Sequence, residues 1–135
     1  MSTVVFVCLG NICRSPMAEF VLKALNQGEF NVIESRATSD WEAGNPIHEG
    51  TKRVLTKHGV SYDSSKRSQQ ISLKDFEQFD QIIAMDEQNL EDLKTLSAGR
   101  YDAKLSLLLD HRSIPDPWFT GDFEETYRLV TLGCQ

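Results

Sequence analysis

The most constraining stretch of this chain is Cys8-Leu9-Gly10-Asn11-Ile12-Cys13-Arg14-Ser15-Pro16, set between an apolar run at Thr3 to Val7 and a helix-like segment from Met17 to Asn26. The apolar run is near-continuous, which predicts a strand buried on both faces of a parallel sheet. Strand, tight loop and helix start, in that order, make an anion-binding geometry. Backbone N–H groups of the loop converge on an oxyanion, and the positive end of the helix dipole points at it. Gly10 permits close backbone approach, and Asn11 tolerates the left-handed conformation and can pin the loop with its side chain. A thiol at Cys8 sits at the mouth of this cradle, where the same dipoles and Arg14 favour the thiolate. The loop lacks Gly-Lys-Ser/Thr, so it is not a nucleoside-triphosphate loop. A reactive cysteine beside a phosphate site points to attack on phosphorus.

The rest of the chain alternates strand and helix patterns. Ser15 is a good N-cap and Pro16 suits the first helical position, with Ala18, Val21, Leu22 and Leu25 at helical spacing and Gly28 as a stop. Residues 31–35 form a second strand, and Arg36 to Asn45 a loop carrying Trp41 in a polar setting. Asn45-Pro46 opens a second helix that Gly59 closes, and Val60 to Gln70 is rich in turns. Ser72 to Asp75 has a capping signature for a short helix, residues 80–85 a third strand, and Asp86 caps a helix with Leu90, Leu93 and Leu96. Residues 103–109 form a fourth strand. The two prolines of Ile114-Pro115-Asp116-Pro117-Trp118-Phe119 exclude regular structure there. Asp122 to Glu125 starts a last helix that ends at Cys134-Gln135 with no polar stop, so either the helix is brief or the chain is shortened. The expectation is one domain over residues 1–135. Its fold class is α/β in three layers, with a four-stranded, mostly parallel sheet and helices on both faces.

Composition removes several classes of function. A net charge of −6 over 135 residues lacks the basic face of a nucleic-acid binder. No apolar run approaches the roughly 20 residues that span a bilayer. No basic segment precedes the first apolar residues, so no secretory signal is expected and the protein should stay in the cytoplasm. Cys8, Cys13 and Cys134 are too few for a disulfide framework or a four-cysteine zinc site. His48, His58 and His111 are scattered without ligand spacing and read as surface or partly buried residues. No metal and no cofactor is called for.

Cys8-x5-Arg14-Ser15, joined to Asp116-Pro117-Trp118 near the end, resembles the low-molecular-weight protein tyrosine phosphatases. The likeness also takes in Ala37-Thr38-Ser39, Gly44-Asn45-Pro46, Phe79-Asp80, Met85-Asp86 and Asn89-Leu90, which is most of the chain. It implies the phosphotyrosine phosphatase I-like fold and hydrolysis of phosphotyrosine without a metal. It implies Cys8 as nucleophile through a phosphocysteine, Arg14 as clamp on two phosphoryl oxygens, and Asp116 as general acid and then base. A Pro-Asp-Pro is otherwise a plain turn, so the role of Asp116 comes from the resemblance. Leu9, Gly10, Asn11, Ile12 and Cys13 would bind phosphate mainly through backbone N–H groups. Ser15 would either cap its helix alone or also hydrogen-bond the Cys8 sulfur. Trp41 and Trp118, more than Phe119, would wall a slot deep enough for a phenyl ring. The expected partners are phosphotyrosine proteins, such as a bacterial tyrosine kinase controlling exopolysaccharide export, with phosphate or another oxyanion in the loop.

The chain departs from the family in two places. A Tyr-Tyr pair that serves as a phosphorylation switch is replaced by Trp118-Phe119. A histidine-containing stretch is replaced by Lys66-Arg67-Ser68-Gln69, so the hydrogen bonds supporting Asn11 and Ser35 are expected to be rebuilt, with Glu34 as a partner. The resemblance further implies that Cys13 protects Cys8 as a reversible disulfide. Asp86 would support the loop, although helix capping explains it equally well, and Cys134 reads as helix packing. Arsenate reductases share this fold and loop but need two further cysteines after the third strand, and residues 80–100 contain none.

Overall fold

In the computed structural model, residues 2–110 and 112–135 are described; His111 lies outside them. The elements in chain order are β1 (Ser2–Cys8), α1 (Arg14–Leu25), β2 (Phe30–Ala37), α2 (Glu49–Lys57), α3 (Leu73–Gln78), β3 (Gln81–Ala84), α4 (Glu87–Leu96), β4 (Leu105–Leu107), α5 (Pro117–Thr120) and α6 (Phe123–Cys134). The four strands form one sheet in the order β2-β1-β3-β4, and every ladder is parallel.

The apolar run of β1 lies at the centre, and its residues alternate between two cores. Val4, Phe6 and Cys8 pack with Met17, Phe20 and Val21 of α1, Val54 and Leu55 of α2, and Leu129 and Val130 of α6. Val5 and Val7 pack on the opposite face with Phe76 of α3, Ile82 and Ala84 of β3, and Leu93 of α4. Helices therefore cover both faces, as a strand apolar on both sides requires. The neighbours of β1 are reached in opposite directions: the chain leaves β1 for β2 on one side and returns to β3 on the other. That reversal opens a crevice beyond the carboxyl ends of β1 and β3. Cys8 ends β1 at this crevice, and Asp86 follows β3.

Several local expectations are corrected. The N-cap of α1 is Cys13, without a side-chain cap bond, and Ser15 is already the second helical residue. Helix α2 begins at Glu49 with His48 as cap, not at Asn45-Pro46. The earlier residues are held in extended pairing, with Ser68 N donating to Asn45 O at 2.8 Å and Pro46 bridged to Arg67. Pro117 opens α5 instead of forbidding it, because the first helical position needs no N–H. The capping box at Ser72 and Asp75 and the cap by Asp86 form as expected.

Gly50, buried in the first turn of α2, sets two effects against each other. Alanine in a helix is favoured over glycine by about 1 kcal/mol. A Cβ at Gly50, however, would stand 2.5 Å from Cε2 and Cζ of Phe123. Overpacking of that kind costs about 1–3 kcal/mol. Gly50→Ala should therefore lower the unfolding midpoint in a thermal or urea melt, and a raised midpoint would show that propensity outweighs the clash.

Candidate active site

The loop between β1 and α1 is held by its carbonyl groups. Thr38 N donates to Cys8 O at 2.9 Å, Ser39 Oγ to Leu9 O at 2.8 Å and Ser68 Oγ to Gly10 O at 2.7 Å. His48 N donates to Ile12 O at 2.9 Å and Thr51 Oγ1 to Cys13 O at 3.1 Å. A trans peptide sets each N–H opposite the carbonyl before it, so fastening these carbonyls also fixes the direction of the N–H groups that follow them. Asn11 takes φ 55°, a left-handed conformation that a non-glycine residue adopts at some cost. Its side chain offsets that cost: Nδ2 donates to Ser15 Oγ at 2.8 Å and to Ser35 Oγ at 3.0 Å, and Oδ1 accepts from Gln69 N at 3.1 Å.

Behind Asn11 the chain of bonds ends on a buried carboxylate. Ser35 Oγ donates to Glu19 Oε1 at 2.6 Å, and Glu19 is only 3% exposed. Lys66 Nζ lies 3.4 Å from the same oxygen and donates to Ser35 O at 2.9 Å. Burial lowers the Lys66 pKa, and the Glu19 charge works against that shift. The expected partner Glu34 instead pairs with Arg36 at 3.0 Å. Glu19 escaped notice in the sequence, yet a signal existed. It follows Ser15 by four residues, so both side chains leave the same face of α1, and an acidic residue on a face with Ala18 and Leu22 is out of place unless partnered.

Two polar groups meet the Cys8 sulfur. Asn11 N donates to Sγ at 3.3 Å, and Ser15 Oγ lies 3.0 Å from it. Of the two readings open for Ser15, the contact with sulfur forms and the cap does not. Arg14 is 2% exposed. Its Nη1 donates to Asp86 Oδ2 at 2.7 Å and to Ile114 O at 2.8 Å, while Nη2 lies 3.4 Å from Asp116 Oδ2. Asp86 does both jobs proposed for it, since its other oxygen accepts from Asn89 N at 2.7 Å and caps α4. Burial opposes the Arg14 charge, but Cys8, Asp86 and Asp116 outweigh it and hold the guanidinium pKa above its ordinary value. Nε of Arg14 is buried with no hydrogen-bond partner among the described residues.

These groups surround a cavity of about 210 Å³. Cys8, Leu9, Gly10, Ile12, Cys13 and Arg14 line its floor, and Asp116, Trp41, Trp118 and Phe119 its walls, together with Ser39 and Glu42, which the sequence reading did not include. Phe119 thus joins the two tryptophans. Asn11 and Ser15 are not part of this lining; they brace the loop through the bonds described above. Asp116 caps α5, with Oδ1 accepting from Trp118 N at 3.0 Å, which fixes the carboxylate and the aromatic wall as one unit. Burial, reinforced by Cys8 and Asp116, keeps Cys13 a neutral thiol. Cys134 lies on α6 with Sγ 3.9 Å from Ala18 O, and burial pushes its thiol up to about 12. Among the described residues no group of His, Cys, Asp and Glu could hold a metal ion, and no helix is long and apolar enough to cross a membrane.

A cysteine and an arginine on one loop, faced by a carboxylate at a cavity with aromatic walls on a parallel α/β sheet, make the layout that a cysteine-dependent phosphatase would need. A family model described as low molecular weight phosphotyrosine protein phosphatase matches residues 3–135, and the chain belongs to that family. It is 39% identical over 146 residues to the low molecular weight protein-tyrosine-phosphatase YfkJ of Bacillus subtilis (strain 168), an alignment covering 100% of this chain and 92% of that one. The corresponding figures for PtpA of Staphylococcus aureus (strain Newman) are 39% identity over 142 residues, 99% and 90%. The crystal structure of SP-PTP, a low molecular weight protein tyrosine phosphatase from Streptococcus pyogenes, superposes with a TM-score of 0.95 at 54% identity, covering 100% of this chain and 89% of that chain.

The buried carboxylate behind the loop makes a sharp prediction. Glu19 also pairs with Lys23 at 2.7 Å, but Lys23 is 44% exposed. Lys23→Ala should cost at most about 0.5 kcal/mol, as for other exposed helix pairs. Glu19→Ala should cost about 3–5 kcal/mol, because it strands Lys66 and the Ser35 hydroxyl in the interior. Urea unfolding of the two variants distinguishes them, and equal small losses would mean that Glu19 serves only the surface pair.

Proposed function

We propose that the chain hydrolyses phosphotyrosine through a phosphocysteine on Cys8, with Arg14 and the loop N–H groups binding the phosphoryl oxygens and Asp116 as general acid and base. The observation that carries this reading is the division of labour around Arg14. Nη1 is committed to Asp86 and Ile114 O, while the Nε–Nη2 edge, on the side of Asp116, keeps an unpartnered donor for an oxyanion.

The Cys8 sulfur attacks phosphorus as the bond to the aryl oxygen breaks, and Asp116 protonates that leaving oxygen. The charge spread over the equatorial oxygens is met by the guanidinium and by N–H groups already fixed in place. Asp116, now a carboxylate, takes a proton from the water that attacks the phosphocysteine, and inorganic phosphate leaves. Ser15 supports this second step. Its Oγ accepts from Asn11, and its own hydrogen, which has Arg36 O at 3.3 Å and the sulfur at 3.0 Å as acceptors, can turn to the departing thiolate. Trp41, Trp118 and Phe119 at the cavity mouth favour an aryl substrate over a short phosphoserine.

One domain over residues 1–135, phosphotyrosine proteins as substrates, a bacterial tyrosine kinase among them, and residence in the cytoplasm complete the reading. The reduced cysteines and a thiol nucleophile suit a reducing compartment. The phosphatase is favoured over an arsenate reductase of the same fold because the third cysteine, Cys134, is packed on α6 against the Ala18 carbonyl and cannot serve a relay at the loop.

With chelator present, the protein should hydrolyse p-nitrophenyl phosphate and phosphotyrosine peptides, should leave phosphoserine peptides intact, and should not reduce arsenate when thioredoxin is supplied. Cys8→Ser should abolish turnover, and Asp116→Ala should lower kcat by about 10²–10⁴-fold. Turnover by Cys8→Ser comparable with the native protein would exclude the mechanism.

A further inference from the structure

His48 stands where the loop, α2, α5 and α6 meet. Its main-chain N–H donates to Ile12 O at 2.9 Å. Its Nδ1 accepts from Gly50 N at 2.9 Å and caps α2, so the neutral ring carries its hydrogen on Nε2. The imidazole stacks on Phe123, with centroids 5.0 Å apart and planes at 21°. It also meets Trp118 edge to face, at 5.7 Å and 83°. Phe123 in turn lies over Gly50, where no side chain fits. The cap and the stack therefore fix the imidazole on two sides, Phe123 being seated over Gly50, and its remaining aromatic contact is with a wall of the cavity. Trp118 itself is 58% exposed and follows Asp116 by two residues.

We propose that His48 is a positioning residue that buttresses the Trp118 ring and so sets the width of the aryl slot, while taking no part in phosphate binding. The proposal rests on the phosphatase reading of the site. A cap needs only an acceptor at this position, which Asn supplies as well as any residue. The contact with Trp118 needs an aromatic ring. Two substitutions therefore separate the two duties: His48→Asn keeps the cap and loses the ring, and His48→Phe keeps the ring and loses the cap.

The test measures KM and kcat for p-nitrophenyl phosphate, the inhibition constant of inorganic phosphate, and Tm. His48→Asn should raise KM roughly two- to tenfold, the scale of one aromatic contact. The phosphate inhibition constant and Tm should stay near the native values, and kcat should change by less than about twofold. His48→Phe should show the converse, a lowered Tm with KM near native. In a Trp118→Ala background, His48→Asn should raise KM no further, because the ring through which it acts is gone. The proposal is overturned if His48→Asn leaves KM unchanged, if phosphate inhibition weakens in parallel, if His48→Phe raises KM as much as His48→Asn does, or if the effect persists without Trp118. Failure of the native protein to turn over p-nitrophenyl phosphate would remove the phosphatase reading and this inference with it. Native turnover with an unchanged His48→Asn removes the inference alone.

Discussion

The burial of one positive charge organises this molecule. Arg14 exposes 2% of its surface, and a guanidinium so far from water must be neutralised within the fold. Its partners come from two other parts of the chain: Asp86 at the end of β3, and Ile114 O and Asp116 from the segment before α5. Only a sheet order that sets β1 beside β3 brings Arg14 and Asp86 together, and only the return of the chain past β4 brings Asp116. Removing one partner of such a set leaves an uncompensated buried charge, a loss on the order of 3–5 kcal/mol. The charge that would bind phosphate is also the charge that assembles the site.

A second constraint shapes the loop. Asn11 is held in a conformation that favours glycine, and its bonds to Ser15, Ser35 and Gln69 N make it stable. Those bonds have a direction. Glu19 accepts from Ser35, Ser35 accepts from Asn11, and Asn11 donates to Ser15, so the Ser15 hydrogen goes to the Cys8 sulfur at 3.0 Å or to Arg36 O at 3.3 Å. A buried carboxylate one turn along the same face of α1 thereby orients the hydroxyl that meets the Cys8 sulfur, with Lys66 balancing its charge.

The sheet and the loop were legible in the sequence because they rest on local signals: the apolar run of β1, the capping residues Ser72, Asp86 and Asp122, and the spacing from Cys8 to Arg14. The misreadings have a common physical origin in groups claimed by distant partners. Ser15 has the chemistry of a cap, but its hydroxyl is taken by Asn11 and Cys8. Asn45-Pro46 has the form of a helix start, but its backbone is drawn into pairing with residues 67–68. Glu34 is nearer Ser35 in sequence than Glu19 is, but it follows Arg36 instead. The placement of His48 between Phe123 and Trp118 has no sequence signal, since it joins three segments spread over more than seventy residues.

The central claim is that the Cys8 sulfur becomes covalently bonded to phosphorus. The native protein, mixed with p-nitrophenyl phosphate, quenched in acid within the first turnovers and digested, should yield one phosphoryl group on the peptide containing Cys8, in an amount matching the initial burst of p-nitrophenol. Turnover with that peptide unmodified, or with the phosphoryl group on a serine or histidine elsewhere, would contradict the account.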